Sequence, residues 1–291
     1  MIRKFLLHEP DTVEATSFLL SKYGADARVL AGGTELFLEL KRGLVSYKHV
    51  INIKTISGLD RVGYDEEKKL LRIGSLVTHR VLEKSKLVNE KFPLLAEVER
   101  QIGNIRVRNV GTLGGNLCLA EPYADPGTPL LALGARVKVR NAKRERELGL
   151  GDFFVRSYET ALEPDEILTE IKVPRLAENA IGVYLRFCPA GRLIVGVAGL
   201  ITFTAGQGIE DLVLTVGCVH SKPIRAMEVE SLLHGRPVDE ALARLEQAGE
   251  LAARISNPVD DLRGSAEYKR HIVKVLTKRV FREACRRRAI L

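Results

Sequence analysis

Two glycine-rich segments carry the residues best suited to hold a ligand: Leu30-Ala31-Gly32-Gly33-Thr34-Glu35-Leu36 and Asn109-Val110-Gly111-Thr112-Leu113-Gly114-Gly115-Asn116. Glycine offers its main-chain N–H with no side chain in the way, so a phosphate can approach such a segment within hydrogen-bonding range. Two of them in one chain point to a single extended ligand, a dinucleotide. The spacing of the first is not GxGxxG, and no acidic residue follows the next strand where a ribose would need one, which disfavours a NAD-type Rossmann domain. A GxxxxGK[ST] motif is missing, which sets aside a P-loop ATPase. In the second segment Asn109, Thr112 and Asn116 supply polar side chains able to bond phosphate, ribose or a ring edge. Either segment alone is also compatible with a structural turn or tight backbone packing. Their pairing favours the ligand.

The rest of the chain supplies little competing chemistry. It has no Ser/His/Asp or Cys/His set and no paired-carboxylate motif, which agrees with reactivity borrowed from a cofactor. His79 follows Thr78 at a helix start and reads as a surface or capping residue. The four cysteines, Cys118, Cys188, Cys218 and Cys285, form no CxxC and no Cys/His cluster, so no metal site is encoded, and buried free thiols in a reducing cytoplasm are expected.

Composition sets the wider bounds. At 291 residues, with 45% hydrophobic and 28% charged, the chain has room for two or three lobes around a sizeable core. The net charge of +8 is spread among acidic residues, and aromatics make up only 5%, leaving few platforms for stacked bases. A solvated basic surface, or a face for an acidic partner, fits better than nucleic-acid binding. The N-terminus lacks a signal-peptide core. The longest apolar stretch, 193–203, is about half of the ~20 residues needed to span a bilayer, so no membrane span is expected.

The elements that position the glycines follow from periodicity and punctuation. Asp11 and Glu14 make a capping box for a helix over 12–22. A strand over 28–31, the Gly32-Gly33 turn, a helix over 34–41 and a strand over 49–53 give a β-turn-α-β unit. In the middle, strands are expected at 70–74, 136–140 and 166–173, and helices at 78–84, 93–100 and 125–134, with the second glycine segment as a loop among them. A linker at 176–179 leads to strand runs at 184–188, 193–204 and 209–219, an antiparallel meander. Helices over 225–233, 239–255 and 265–286 complete the chain.

At this level of detail the chain resembles the FAD-binding medium subunits of the molybdenum hydroxylases, the group of carbon monoxide dehydrogenase, xanthine dehydrogenase and aldehyde oxidoreductases. The resemblance runs over nearly the whole length. It rests on Ala31 to Leu36, on Arg108 to Asn116, on Pro122 to Asp125, on Leu162-Glu163-Pro164-Asp165-Glu166-Ile167-Leu168 and on Ser265 to Arg270. It implies an α+β fold: a two-lobed FAD-binding domain of the vanillyl-alcohol-oxidase-like type, lobes 1–55 and 56–177, followed by a C-terminal antiparallel sheet with a helical bundle over 178–291. By the same resemblance Val29, Leu30, Ala31, Gly32, Gly33, Thr34, Glu35 and Leu36 wrap the pyrophosphate. Asn109, Gly111, Thr112, Leu113, Gly114, Gly115 and Asn116 form the second contact, with Thr112 to Asn116 on the pyrophosphate and ribityl region. Asp125 bonds an FAD hydroxyl, Ile102 and Leu168 are apolar walls, and Arg186 brings positive charge that favours the reduced anionic flavin.

The resemblance further implies an electron-transfer subunit: a [2Fe-2S] small subunit feeds the FAD, a molybdopterin-binding large subunit performs the hydroxylation, and the assembly is a cytoplasmic dimer of heterotrimers. Where relatives often carry an acidic residue and then an apolar or aromatic one after the strand of Arg186, this chain has Gly191-Arg192-Leu193. Nor does it have the cysteine-bearing insertion that holds an extra cluster in some relatives. Without the resemblance, Asp125 could cap the helix at Pro126, and Ile102 and Leu168 would be ordinary core. The competing readings are a stand-alone FAD oxidoreductase such as a UDP-N-acetylenolpyruvylglucosamine reductase, and a basic nucleotide-binding module without redox activity.

Overall fold

A computed structural model describes residues 2–191, 193–206 and 208–289. Three larger sheets follow one another along the chain, each with its own apolar cluster, and a two-stranded ribbon of Phe154–Arg156 and Glu159–Thr160 lies between strands of the second. In the first, strands Leu6–His8 and Ala27–Leu30 flank His49–Asn52, all parallel. Parallel neighbours need crossovers, and helices Val13–Tyr23 and Leu36–Arg42 provide them. The expected β-turn-α-β unit is present. Its first helix is capped by Thr12, whose side chain accepts from the Ala15 amide, one position later than the Asp11 box predicts. The edge strand Leu6–His8 is too short for periodicity to reveal.

The second sheet is antiparallel, in the order Val62–Asp65, Leu70–Gly74, Ile167–Pro174, Arg136–Arg140, Glu145–Gly149. Its two outer strands escaped the sequence reading because edges carry charge and glycine rather than alternating apolar residues. Leu71, Ile73, Val137, Val139, Ile171 and Val173 are buried with helical residues Leu94, Leu95, Val98, Leu117 and Leu130. Thr78, Ser85, Asn104 and Thr112 each cap a short helix with a side-chain oxygen, which fixes where the backbone turns.

The third sheet is the expected meander, Ala180–Phe187, Val195–Phe203 and Ile209–Gly217, with a short fourth strand Ile224–Arg225. Helices Met227–Leu233, Val238–Ala243, Leu245–Ile255 and Ala266–Arg287 complete this part of the chain. The single helix predicted over 239–255 is two, parted at Arg244. Val238, Ala241, Leu245, Ala248 and Ala252 keep helical spacing across the break and are all buried, so periodicity is blind to it.

Between the last two helices the chain crosses back to the second lobe. Asp261 accepts from the Tyr123 hydroxyl at 2.9 Å, from Lys269 Nζ at 2.7 Å and from the Arg263 amide at 2.7 Å, while the Arg263 guanidinium stacks on the Tyr123 ring. Burial works against the Asp261 carboxylate, but Lys269, the Arg263 amide and Tyr123 outweigh it and hold the carboxyl at about 2, below its ordinary 3.8. A folded pKa below the unfolded one stabilises the fold above the unfolded value, and that stabilisation is lost as pH falls from 3.8 to about 2. Asp261→Asn therefore lowers the melting temperature at pH 7 and flattens the decline in melting temperature between those two pH values. An acid limb identical to that of the parent chain contradicts this.

Candidate functional site

The two glycine segments form one wall. A Cβ on Gly32 would sit 2.2 Å from the Val110 carbonyl oxygen and 2.8 Å from Gly111 Cα, so the backbones touch in a way only glycine allows. A Cβ on Gly115 would lie 3.6 Å from that of Ala31. Gly33, at φ +74, turns the chain from Leu30 into the next helix in a left-handed conformation.

The second segment is not a loop. Helix Ile105–Val110 ends at Gly111, and Thr112 caps a new helix, Leu113–Leu119, so Gly114 and Gly115 lie in its first turn. Its amides are occupied: Leu113 donates to Val77 O at 3.0 Å, Gly114 to Ser75 O at 3.2 Å, Gly115 to Thr112 Oγ1 at 3.1 Å and Asn116 to Thr112 O at 3.0 Å. This segment offers close approach and the side chains of Thr112 and Asn116. The first segment differs. Among the described residues, the amides of Gly32, Gly33, Thr34 and Glu35 donate to no protein acceptor. These four successive amides make a nest around a left-handed glycine, on a half-buried stretch of chain that is exposed at Glu35, so their N–H groups are open to an anion.

The remaining predicted residues fall in three places. Val29 and Leu30 form the strand entering the nest, and Leu36 opens the helix leaving it. Ile102, Leu113 and Leu168 are buried in the second lobe's apolar core, and Asn109 is exposed on its short helix. Asp125 is buried and accepts from the Tyr184 hydroxyl and from Arg186 Nη1, each at 2.9 Å. Pro126, not Asp125, takes the helix-cap position. Burial pushes the Asp125 carboxyl up, and Arg186 and Tyr184 oppose that. Burial and the Asp125 charge push the Tyr184 hydroxyl well above its ordinary value. Arg186, indistinguishable by sequence from a surface arginine, joins the third lobe to the second.

One pair escaped the sequence reading. His79 is not a surface or capping residue: it is 2% exposed, and its Nδ1 lies 2.6 Å from Oε2 of Glu99, itself fully buried. Burial pushes the Glu99 carboxyl up while the contact with His79 opposes it. The signal was available, since Leu95, Glu99 and Ile102 keep the i, i+4, i+7 spacing of a buried helical face with a carboxylate in the middle.

All four cysteines are free; Cys218 and Cys285 are buried as expected, whereas Cys118 and Cys188 are only half-buried. Burial pushes the Cys118 thiol up to about 12, which makes it a poor nucleophile. Among the described residues there is no group of three metal-ligating side chains, and no helix is long and apolar enough to cross a membrane.

The fold agrees with that of related proteins. Residues 3–176 match the family described as the FAD binding domain in molybdopterin dehydrogenase, and residues 193–284 match the CO dehydrogenase flavoprotein C-terminal domain. The chain is 34% identical over 271 residues to the glyceraldehyde dehydrogenase medium chain of Sulfolobus acidocaldarius, covering 93% of this chain and 94% of that one. It is 30% identical to the carbon monoxide dehydrogenase medium chain of Afipia carboxidovorans, covering 96% of each. The solved carbon monoxide dehydrogenase of Hydrogenophaga pseudoflava superposes with a TM-score of 0.93 at 28% identity, over 99% of both chains. The chain therefore belongs to the FAD-binding medium subunits of the molybdenum hydroxylases, and it is an oxidoreductase subunit whose cofactor is FAD.

The pairing of Asp125 gives a direct test of how the lobes are joined. Asp125→Ala leaves a buried tyrosine hydroxyl and a largely buried guanidinium without their acceptor, at a cost of about 3 kcal/mol in urea unfolding. A loss below about 1 kcal/mol, the worth of one ordinary hydrogen bond, contradicts the assignment.

Proposed function

We propose that this chain carries electrons from the [2Fe-2S] clusters of a small partner subunit through its FAD to an external acceptor, with hydroxylation performed on a molybdopterin-binding large subunit. The observation that carries the reading is the run of four unpaired amides, Gly32 to Glu35, packed against the glycines of a second segment. A pyrophosphate is the part of FAD that such a nest fits. The FAD, when bound, supplies the capacity to take up electrons and release them to a different acceptor.

The chain's own residues bind and orient. Gly32, Gly33, Thr34 and Glu35 donate to the pyrophosphate, while Val29, Leu30, Ala31 and Leu36 hold that turn in place. Gly111, Gly114 and Gly115 admit the ligand closely, and Asn109, Thr112 and Asn116 give polar contacts toward the ribityl region. Asp125 has lone pairs left beyond those used by Tyr184 and Arg186 and accepts from a ligand hydroxyl. Arg186 places a cation near the ring end, partly offset by Asp125. Ile102, Leu113 and Leu168 form the apolar backing that keeps water out. In this reading the lobes 1–55 and 56–177 make a vanillyl-alcohol-oxidase-like FAD domain, and 178–291 is the C-terminal domain. The working assembly is a cytoplasmic dimer of heterotrimers.

The purified protein should be yellow, with an oxidised-flavin spectrum that dithionite bleaches. Gly33→Val forces a β-branched residue into a left-handed position, 2.9 Å from the Leu30 and Phe37 side chains. It should lose FAD while keeping the circular dichroism of the parent chain; equal retention of FAD by this variant counts against the nest.

A further inference from the structure

Beneath the nest lies a buried titratable pair that the reading above does not use. Glu99 grips Nδ1 of His79 at 2.6 Å, and the His79 main-chain amide donates to Gly111 O at 3.0 Å, so both the ring and its backbone are fixed to the glycine wall. The free edge of the ring faces Gly111: a Cβ there would sit 3.3 Å from His79 Cδ2 and 3.6 Å from Thr34 Cγ2. His79, Gly111 and Thr34 thus meet at one point, beside the unpaired amides. Nε2, next to Cδ2, has no protein partner among the described residues. The His79 side chain keeps 3% of its surface open, whereas that of Glu99 keeps none.

From this geometry we propose that His79 is a further FAD-binding side chain, its Nε2–H donating to the pyrophosphate while Glu99 positions the ring from behind. The proposal rests on the FAD reading and deepens it. The phosphate takes the N–H of Nε2, and the hydrogen bond between Glu99 and Nδ1 sets the orientation of the ring. A purely structural His–Glu pair, tying helix His79–Lys84 to helix Pro93–Gln101, would need only Nδ1.

Two substitutions separate these roles, because the amide of asparagine occupies the place of Nδ1 and that of glutamine the place of Nε2. FAD affinity is read by flavin fluorescence during titration of the full chain, alongside the melting temperature. His79→Asn should fold and bind FAD at least tenfold more weakly, and His79→Gln should bind within threefold of the parent chain. If both variants bind FAD as the parent does, or if only His79→Gln is impaired, the role of Nε2 is overturned and the FAD reading stands. If the parent chain itself takes up no FAD, it is the FAD reading that falls. Should His79→Asn fail to fold, the parent chain labelled with 15N-histidine decides: the Nε2 resonance of His79 shifts on saturation with FAD, and an unmoved resonance overturns the proposal.

Discussion

Gly32 lies with its backbone against the Val110 carbonyl and Gly111, and the geometry of the candidate site depends on that approach. Any side chain at this position would push the first lobe off the second by more than a rotamer change could absorb. With both positions glycine, a three-stranded parallel sheet and a five-stranded antiparallel one share a wall, and the unpaired amides of residues 32–35 stand where a ligand can bridge the two lobes. The same contact explains why two segments that each look like ordinary turns have meaning as a pair.

The lobes are also tied by charge, buried at Asp125 and at the surface at Asp261. Asp125 joins Arg186 and Tyr184 of the third lobe to the second, and Asp261, held within the third lobe by Lys269, does the same through Tyr123. Truncating one member of such a pair leaves its partner without an acceptor, so these ties contribute more to holding one arrangement than their net energy suggests. The result is a rigid backing for a cofactor whose chemistry is its own.

Much of this was legible in the sequence, and the gaps have physical causes. The glycine segments and the strands of the meander could be read because glycine spacing and apolar periodicity are local signals, whereas Asp125 was singled out only by the family resemblance. The helical state of Leu113–Leu119 could not, since its first turn contains two glycines, poor helix formers, and is held by Thr112 and by the carbonyls of Ser75 and Val77 from distant sequence. The edge strands were invisible because edges favour charge. His79 looked like a surface or capping residue because its partner lies 20 positions away. Arg186, which the resemblance placed near the flavin, could not be paired with Asp125 from the sequence because the two lie 61 positions apart.

The central claim is that the main chain from Gly32 to Glu35 holds the FAD pyrophosphate. Amide hydrogen exchange at these four residues, measured with and without FAD, tests it most directly. The account predicts fast exchange in the free chain and strong protection of all four amides on saturation with FAD. Amides that still exchange freely while FAD is fully bound would contradict it.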